Sequence, residues 1–372
     1  MSEAKLEITI VGLGLLGSSL AASLRQSSQF SITGVSSPST LQKAFELDLI
    51  DRGFQYSQVE LWAQQSDIVF LCTPIQHIIA TLNQIGIALK NNTKPLIITD
   101  VGSTKKEICN HAQNCLPASV IFVGGHPMAG SQKSGIEAYD ETLFENAYWI
   151  LCPSPLQANE DYASLTAIIK KVGATLVTLD PDKHDAVMAE LSHTPQLIAS
   201  AMASGLSEKD LLAGNFQHLA GPGFRDMTRI AASSWSMWKD IFTSNTSEIQ
   251  ASLRRFESRI GQIRQSLNTA PNLSELESVF EQGAQVRSRL SGPGKGFTIG
   301  LCEILVKVKD EPGMISQIIT PLAATGTDIR DIELLKVREG IGGTLLLAFA
   351  SLEIANQAVQ VLADNGFQAR LR

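Results

Sequence analysis

The chain has 372 residues and a formal net charge of −7, with 44% hydrophobic and 18% charged residues. That length accommodates two or three domains with buried cores, and the acidic balance excludes nucleic acid as the main partner, because neutralising phosphates needs a basic face. Cys72, Cys109, Cys115, Cys152 and Cys302 are odd in number and scattered without a C-x-x-C pair, so neither a disulfide framework nor a metal site is expected, and the reducing cytoplasm is the natural compartment.

Residues 6–12 (LEITIVG) form a β-branched run that ends in glycine, residues 18–25 have helical character, and residues 30–36 (FSITGVS) read as a second strand. The apolar stretch from Ile8 to Leu24 is no membrane span: it lacks a basic flank, is interrupted by glycines and serines, and is too short. Between the two strands, Gly12-Leu13-Gly14-Leu15-Leu16-Gly17 fits G-x-G-x-x-G in the strand–turn–helix context the motif requires. Its glycines allow a tight turn and close approach of the backbone to a pyrophosphate, which then faces free amides at a helix N-terminus. The second strand ends Val35-Ser36-Ser37-Pro38, with no acid to hold the ribose hydroxyl of NAD. Ser36 and Ser37 can donate to a 2′-phosphate, though no arginine is present to clamp one. The expected cofactor is NAD(P), with NADP slightly favoured over NAD.

Further buried strands are expected at 67–72, 96–99, 120–123, 148–151 and 174–177, separated by helices such as 75–89 and 105–115. This alternation predicts an α/β fold, a Rossmann-type, mostly parallel sheet covered on both faces. Thr73-Pro74 falls at the carboxyl edge of the sheet, where open α/β sheets hold ligands, so it is expected to face the cofactor. After about residue 180 the periodicity is helical, with Pro195 expected to kink one long helix and Pro222 and Pro271 to mark loops. SGPGKG (291–296) reads as a flexible linker, and residues 300–372 follow the order βαββαβ of a ferredoxin-like unit. The expected domains are thus 1–180 for the dinucleotide, 181–290 for substrate and dimerisation, 291–299 as linker, and 300–372.

Three segments are odd as structure alone: DVGSTK (100–105), GGHPMAG (124–130) and FRDMTR (224–229). His126 is the best candidate for acid–base work, since its intrinsic pKa lies near neutrality and a glycine-flanked loop at the sheet edge would leave its ring accessible. Arg229 offers a planar fork for a carboxylate, or else a salt bridge to Asp226. His77, His111, His184 and His218 are read as ordinary structural histidines.

DVGSTK, GGHPMAG, LSHTP (191–195) and GFRDMTRIA (223–231), in this order behind GLGLLG, resemble the prephenate/arogenate dehydrogenase family of tyrosine biosynthesis. The C-terminal unit, with DEPGM (310–314) and GTDI (326–329), resembles an ACT regulatory domain. The resemblance implies that His126 takes the proton of the substrate ring hydroxyl, that Ser103 hydrogen-bonds near that hydroxyl, that His193 lies near nicotinamide and substrate, and that Arg229 holds a substrate carboxylate, with Gly223 beside it. Many family members carry an acid where this chain has Gln132, and a second histidine where it has Gln196; both positions lie where the substrate side chain would be discriminated. Prephenate is the expected substrate, with arogenate, or both, as the alternative. The resemblance also implies a tyrosine effector bound around Gly313, Met314 and Asp328, and a homodimer or higher homo-oligomer. Another Rossmann dehydrogenase with a helical second domain, or a non-catalytic sensor pairing the two ligand modules, are the competing readings.

Overall fold

Alternate residues along β4 (Ile68–Leu71) enter opposite cores: Ile68 and Phe70 pack with the helices Leu15–Arg25 and Ala163–Lys171, Val69 and Leu71 with Ile75–Ala88 and Lys106–Cys115. A strand apolar on both faces must lie inside a covered sheet. This is what the computed structural model shows across the residues it describes, 5–130, 133–206, 219–268, 273–290, 301–309, 311–338 and 342–372. The strands β1 (Leu6–Val11), β2 (Phe30–Val35), β3 (Arg52–Phe54), β4, β5 (Leu96–Asp100), β6 (Val120–Pro127), β7 (Tyr148–Cys152) and β8 (Thr175–Thr178) form one sheet in the order β3-β2-β1-β4-β5-β6-β7-β8. Strands β1 to β6 run parallel, β7 pairs antiparallel with β6, and β8 parallel with β7. The strand order reverses between β1 and β4, and a crevice at the carboxyl ends of such a switch point is where α/β sheets bind nucleotides.

Two strand expectations need correction. The three-residue β3 carries too little pattern to be read from sequence. The strand expected to stop at Val123 continues to Pro127, because β7 pairs with the whole glycine-rich stretch, Gly124 opposite Cys152, Gly125 opposite Leu151 and His126 opposite Ile150. His126 therefore lies on a strand rather than in a loop, and its ring is buried.

Beyond β8, Asp180 caps the helix Pro181–Met188 by accepting from the amides of Asp182 and Lys183. A π turn over Ala189–His193 leads into the helix Thr194–Ser204. These segments run on without a break from Pro181 to Ser204, and the π turn immediately precedes Pro195, whose missing N–H cannot close an α-helical bond, so one long helix is distorted at Pro195 as expected. Pro222, by contrast, opens the helix Pro222–Thr228 rather than marking a loop. The helices Trp235–Ser244 and Thr246–Asn268 follow. Pro271 and the expected linker 291–299 lie outside the described residues.

The chain divides into two compact units, Met1–Gly261 and Gln262–Arg372. The second contains the helix Ser274–Leu290 and an antiparallel sheet of β9 (Cys302–Val308), β10 (Asp331–Arg338), β11 (Gly342–Phe349) and β12 (Ala369–Leu371), ordered β10-β11-β9-β12. Ile304, Val306, Leu345 and Leu347 project from one face of that sheet onto Ile318 and Leu322 of the helix Met314–Ala324 and onto Ala355, Ala358 and Leu362 of the helix Leu352–Asp364. This is the βαββαβ arrangement expected for residues 300–372. No helix among the described residues is long and apolar enough to cross a membrane.

Candidate active site

The glycine turn is built for close approach. Gly12 has φ +97°, and a Cβ there would lie 2.7 Å from the Cys72 carbonyl oxygen and from Thr73 Cγ2. A Cβ on Gly17 would meet the Gly12 carbonyl oxygen at 2.0 Å, whereas one on Gly14 would meet nothing within 4 Å. The two outer glycines are thus required by the protein's own packing, and the middle one leaves open space over the N-terminus of Leu15–Arg25, where Leu15 and Leu16 form its first turn. Leu13 is buried in the sheet's core. Thr73 Oγ1 is buried with no hydrogen-bond partner among the described residues, at the lip of the same crevice, and Pro74 caps the helix Ile75–Ala88. An orphaned hydroxyl beside an uncrowded helix N-terminus fits a dinucleotide. Ser36 is buried, and Ser37 Oγ accepts from the Thr40 amide as cap of the helix Pro38–Glu46. Cys72, also in this region, is no nucleophile: burial first, then Asp100, pushes its thiol pKa up.

Ser103 and His126 are brought together by neighbouring strands and a buried clasp. The Asp100 side chain, at the end of β5, accepts from the Gly102 amide (2.8 Å) and the Gly125 amide (3.0 Å). It also pairs with Lys105 Nζ, which donates to the Gly125 carbonyl at 2.8 Å; both charged side chains are fully buried. Gly125 is therefore held at both its N–H and its C=O, and the next residue is His126. On the far side of Ser103, Thr104 Oγ1 bonds Ser244 Oγ at 2.8 Å. The loop is pinned before and after Ser103, while the Ser103 hydroxyl itself has no partner among the described residues.

His126 is 9% exposed. Its Nδ1 lies 2.8 Å from His184 Nε2, and its Nε2 has no partner among the described residues. His184 Nδ1 in turn lies 2.7 Å from Asp185 Oδ1. His184, read from sequence as a structural histidine, is thus the ring that touches His126; a His-Asp pair on a helix carries no sequence signal of such a role, and only the tertiary fold creates it. Burial, followed by the nearness of His184, Lys105 and His193, holds the His126 pKa well below the usual histidine value. Burial also outweighs Asp185 at His193 and lowers its pKa to about 4. Asn245 Nδ2 donates to the Asp185 carbonyl (2.8 Å) and to His193 Nδ1 (3.1 Å), which places the His193 proton on Nε2 as a donor.

Gln196 is buried, and its amide nitrogen donates to the Ile230 carbonyl at 2.9 Å, inside the 3-10 turn Arg229–Ala232. It braces the turn that carries Arg229. Arg229 and Gly223 are exposed, and the structure holds no Asp226–Arg229 salt bridge. Gln132 and His218 lie outside the described residues. In the C-terminal unit, Gly313 (φ +84°) precedes the helix that Met314 begins, and Asp328 pairs with Arg330 at 2.8 Å.

A Rossmann sheet with an open glycine turn at its switch point, and a helical region that reaches back to the sheet edge through Asp185, defines a nicotinamide-dependent dehydrogenase. The family description "Prephenate dehydrogenase, nucleotide-binding domain" matches residues 20–178, and "Prephenate dehydrogenase, dimerization domain" matches residues 180–282. A prephenate dehydrogenase of Bacillus subtilis (strain 168) is 33% identical over 367 residues, covering 97% of each chain. Among solved structures, the Synechocystis arogenate dehydrogenase superposes with a TM-score of 0.66 at 32% identity, covering 77% of this chain and 100% of its own. The prephenate dehydrogenase from A. aeolicus, solved with hydroxyphenyl propionate and NAD+, gives 0.67 at 29% identity, covering 77% and 100%. The chain belongs to the prephenate dehydrogenase family.

Proposed function

We propose that this chain converts prephenate to 4-hydroxyphenylpyruvate by oxidative decarboxylation in tyrosine biosynthesis, with His126 as the base. The observation that carries the assignment is His126 itself: a buried, neutral ring with Nε2 unpartnered, clasped next to a serine whose hydroxyl is also unpartnered. In this reading His126 Nε2 accepts the proton of the substrate's ring hydroxyl, and Ser103 Oγ hydrogen-bonds the same oxygen and orients it. The bound nicotinamide supplies the acceptor for the hydride that leaves the hydroxyl-bearing carbon. The ring carboxylate departs as carbon dioxide and the ring becomes aromatic, so the protein contributes mainly positioning, one base and a cation. His193 presents Nε2–H as a donor, and Arg229, unengaged by Asp226, receives a substrate carboxylate through its bidentate fork.

Arg229→Ala should raise KM about 10–100-fold with a much smaller change in kcat, as expected when a charge-assisted ground-state contact worth about 1.5–3 kcal/mol is removed. Steady-state kinetics with prephenate decides it, and an unchanged KM would remove Arg229 from the substrate site. Arogenate remains the alternative substrate, because Gln132 and Gln196 stand where many relatives have an acid and a histidine. A comparison of kcat/KM for prephenate and arogenate with the same enzyme tests the choice, and prephenate is expected to be preferred.

For the cofactor, the end of β2 carries no acid to repel a 2′-phosphate, which supports use of NADP as well as NAD, with NADP slightly favoured. Equilibrium titration should give NADP+ a Kd equal to or below that of NAD+; a Kd for NAD+ tighter by tenfold or more would reverse the assignment. The matched dimerization domain and the exposed Leu191, Met227, Trp235 and Phe256 support a homodimer. The βαββαβ unit supports an ACT domain that takes tyrosine near Gly313, Met314 and Asp328, and the thiol chemistry supports a cytoplasmic enzyme.

A further inference from the structure

We infer that His184 and Asp185 are positioning residues that fix the proton of His126 on Nδ1 and so leave Nε2 as the free base. The inference rests on the reading of His126 as the base.

Asp185 is 1% exposed. Its Oδ1 accepts from the Lys105 amide at 2.7 Å and its Oδ2 from the Lys106 amide at 3.0 Å. These are the amides of the N-cap residue and the first residue of the ten-residue helix Lys106–Cys115. A backbone N–H can only donate, so both oxygens of this carboxylate act as acceptors. An ionised carboxylate can only accept, so the 2.7 Å contact between Asp185 Oδ1 and His184 Nδ1 has the proton on His184 Nδ1. His184 is fully buried, and its desolvation, with the charge of Lys105, lowers its pKa in spite of the opposing Asp185 and Asp100. The ring is neutral, and with Nδ1 protonated its Nε2 is an acceptor. The partner of that Nε2, at 2.8 Å, is His126 Nδ1, which must then donate. A neutral His126 protonated on Nδ1 carries its lone pair on Nε2, the atom without a partner.

Free neutral histidine prefers the opposite tautomer, with the proton on Nε2, which would donate where a base is needed. The relay inverts that preference. The groups facing His126 from the elements packed around it are His184 on Pro181–Met188, His193 on the π turn, and Lys105 in the loop after β5; Lys105 is matched by Asp100. When Nε2 accepts the substrate proton, the O–H bond breaks and the Nε2–H bond forms, and the resulting imidazolium keeps its Nδ1–H on His184, with Asp185 as counter-charge behind it. The same carboxylate ties the helical region to the loop that carries Ser103, so base and serine share one anchor.

The test is two-bond 1H–15N correlation spectroscopy of the full-length protein labelled on histidine ring nitrogens, at neutral pH. The His126 signals are assigned as those missing from His126→Asn. The expected wild-type pattern for His126 is a protonated Nδ1 and an unprotonated Nε2; a protonated Nε2 would overturn the inference without an engineered site. In Asp185→Asn the carboxamide can donate to His184 Nδ1 and reverse the relay. His126 should then shift to the Nε2–H form, and kcat should fall about 10²–10⁴-fold, with KM and cofactor Kd within about threefold. A variant that keeps the wild-type tautomer and rate would refute the relay. The base assignment fails separately, if His126→Asn retains turnover; loss of turnover in His126→Asn with Nε2–H in the wild type leaves the base and removes the relay.

Discussion

His126→Asn is expected to lower kcat by about 10²–10⁴-fold, the range that a positioned general base contributes, with little change in KM or in cofactor affinity. Asparagine occupies nearly the same volume and can still donate to His184 Nε2, so the strand β6 and its pairing with β7 should survive. The loss is confined to the atom that takes the proton. The pH dependence carries a sign that checks the same residue. Burial, followed by the nearby His184, Lys105 and His193, holds His126 below its ordinary value of 6.5, so the neutral, competent base dominates through and below neutrality. The acid limb of kcat/KM in the wild type should therefore lie below pH 6.5, with the rate falling as pH drops through the folded-state pKa. Its depressed pKa also makes the neutral ring a stabilising feature: that contribution is complete above the unfolded value and is lost as pH falls from about 6.5 toward the folded value. A pH–rate profile of the wild type and a kcat for the variant settle the matter, and an unchanged kcat would move the base elsewhere.

Lys105→Met should destabilise the protein by about 3–5 kcal/mol, because removing one partner of a buried pair leaves the other charge desolvated and uncompensated. Asp100 and Lys105 are both fully buried, and between them they hold the Gly125 amide and carbonyl. Their loss acts on chemistry as well as stability, since the loop with Ser103 and the strand with His126 are aligned through that contact. Chemical denaturation reads the stability, and the double variant Asp100→Asn/Lys105→Met should recover part of the loss by removing the stranded charge. A single variant as stable as the wild type would show that Asp100 has another route to solvation.

The parts legible in the sequence were those with a local signature. The apolar strands of the parallel sheet announce themselves because they are buried on both faces, and the glycine turn because Gly12 and Gly17 have no room for a side chain. The βαββαβ order of residues 300–372 follows from turns such as DEPG and from two periodicities that alternate cleanly. Features created by tertiary contact were not legible. β6 runs on through Gly-Gly-His-Pro only because β7 pairs with it, and in isolation that stretch reads as a loop. Nothing in the sequence marks Lys105 as buried, yet it is, because Asp100 and Gly125 receive it. His184 reads as an ordinary structural histidine, and Asp185 carries no signal, until their helix is laid against the N-terminus of Lys106–Cys115. Of the candidate site residues, His126 was singled out by its chemistry and Ser103 and His193 were assigned roles by the family resemblance, whereas the groups that surround them, Asp100, Lys105, His184, Asp185 and Asn245, were assigned none.

The central claim is that this chain couples hydride transfer to loss of the ring carboxylate at a single site. Simultaneous measurement of reduced nicotinamide and of carbon dioxide from carboxyl-labelled prephenate tests it most directly. One equivalent of each should appear per turnover, in step, and both should be lost together in His126→Asn. Reduction of the cofactor without carbon dioxide, or release of carbon dioxide that survives in His126→Asn, would contradict the account.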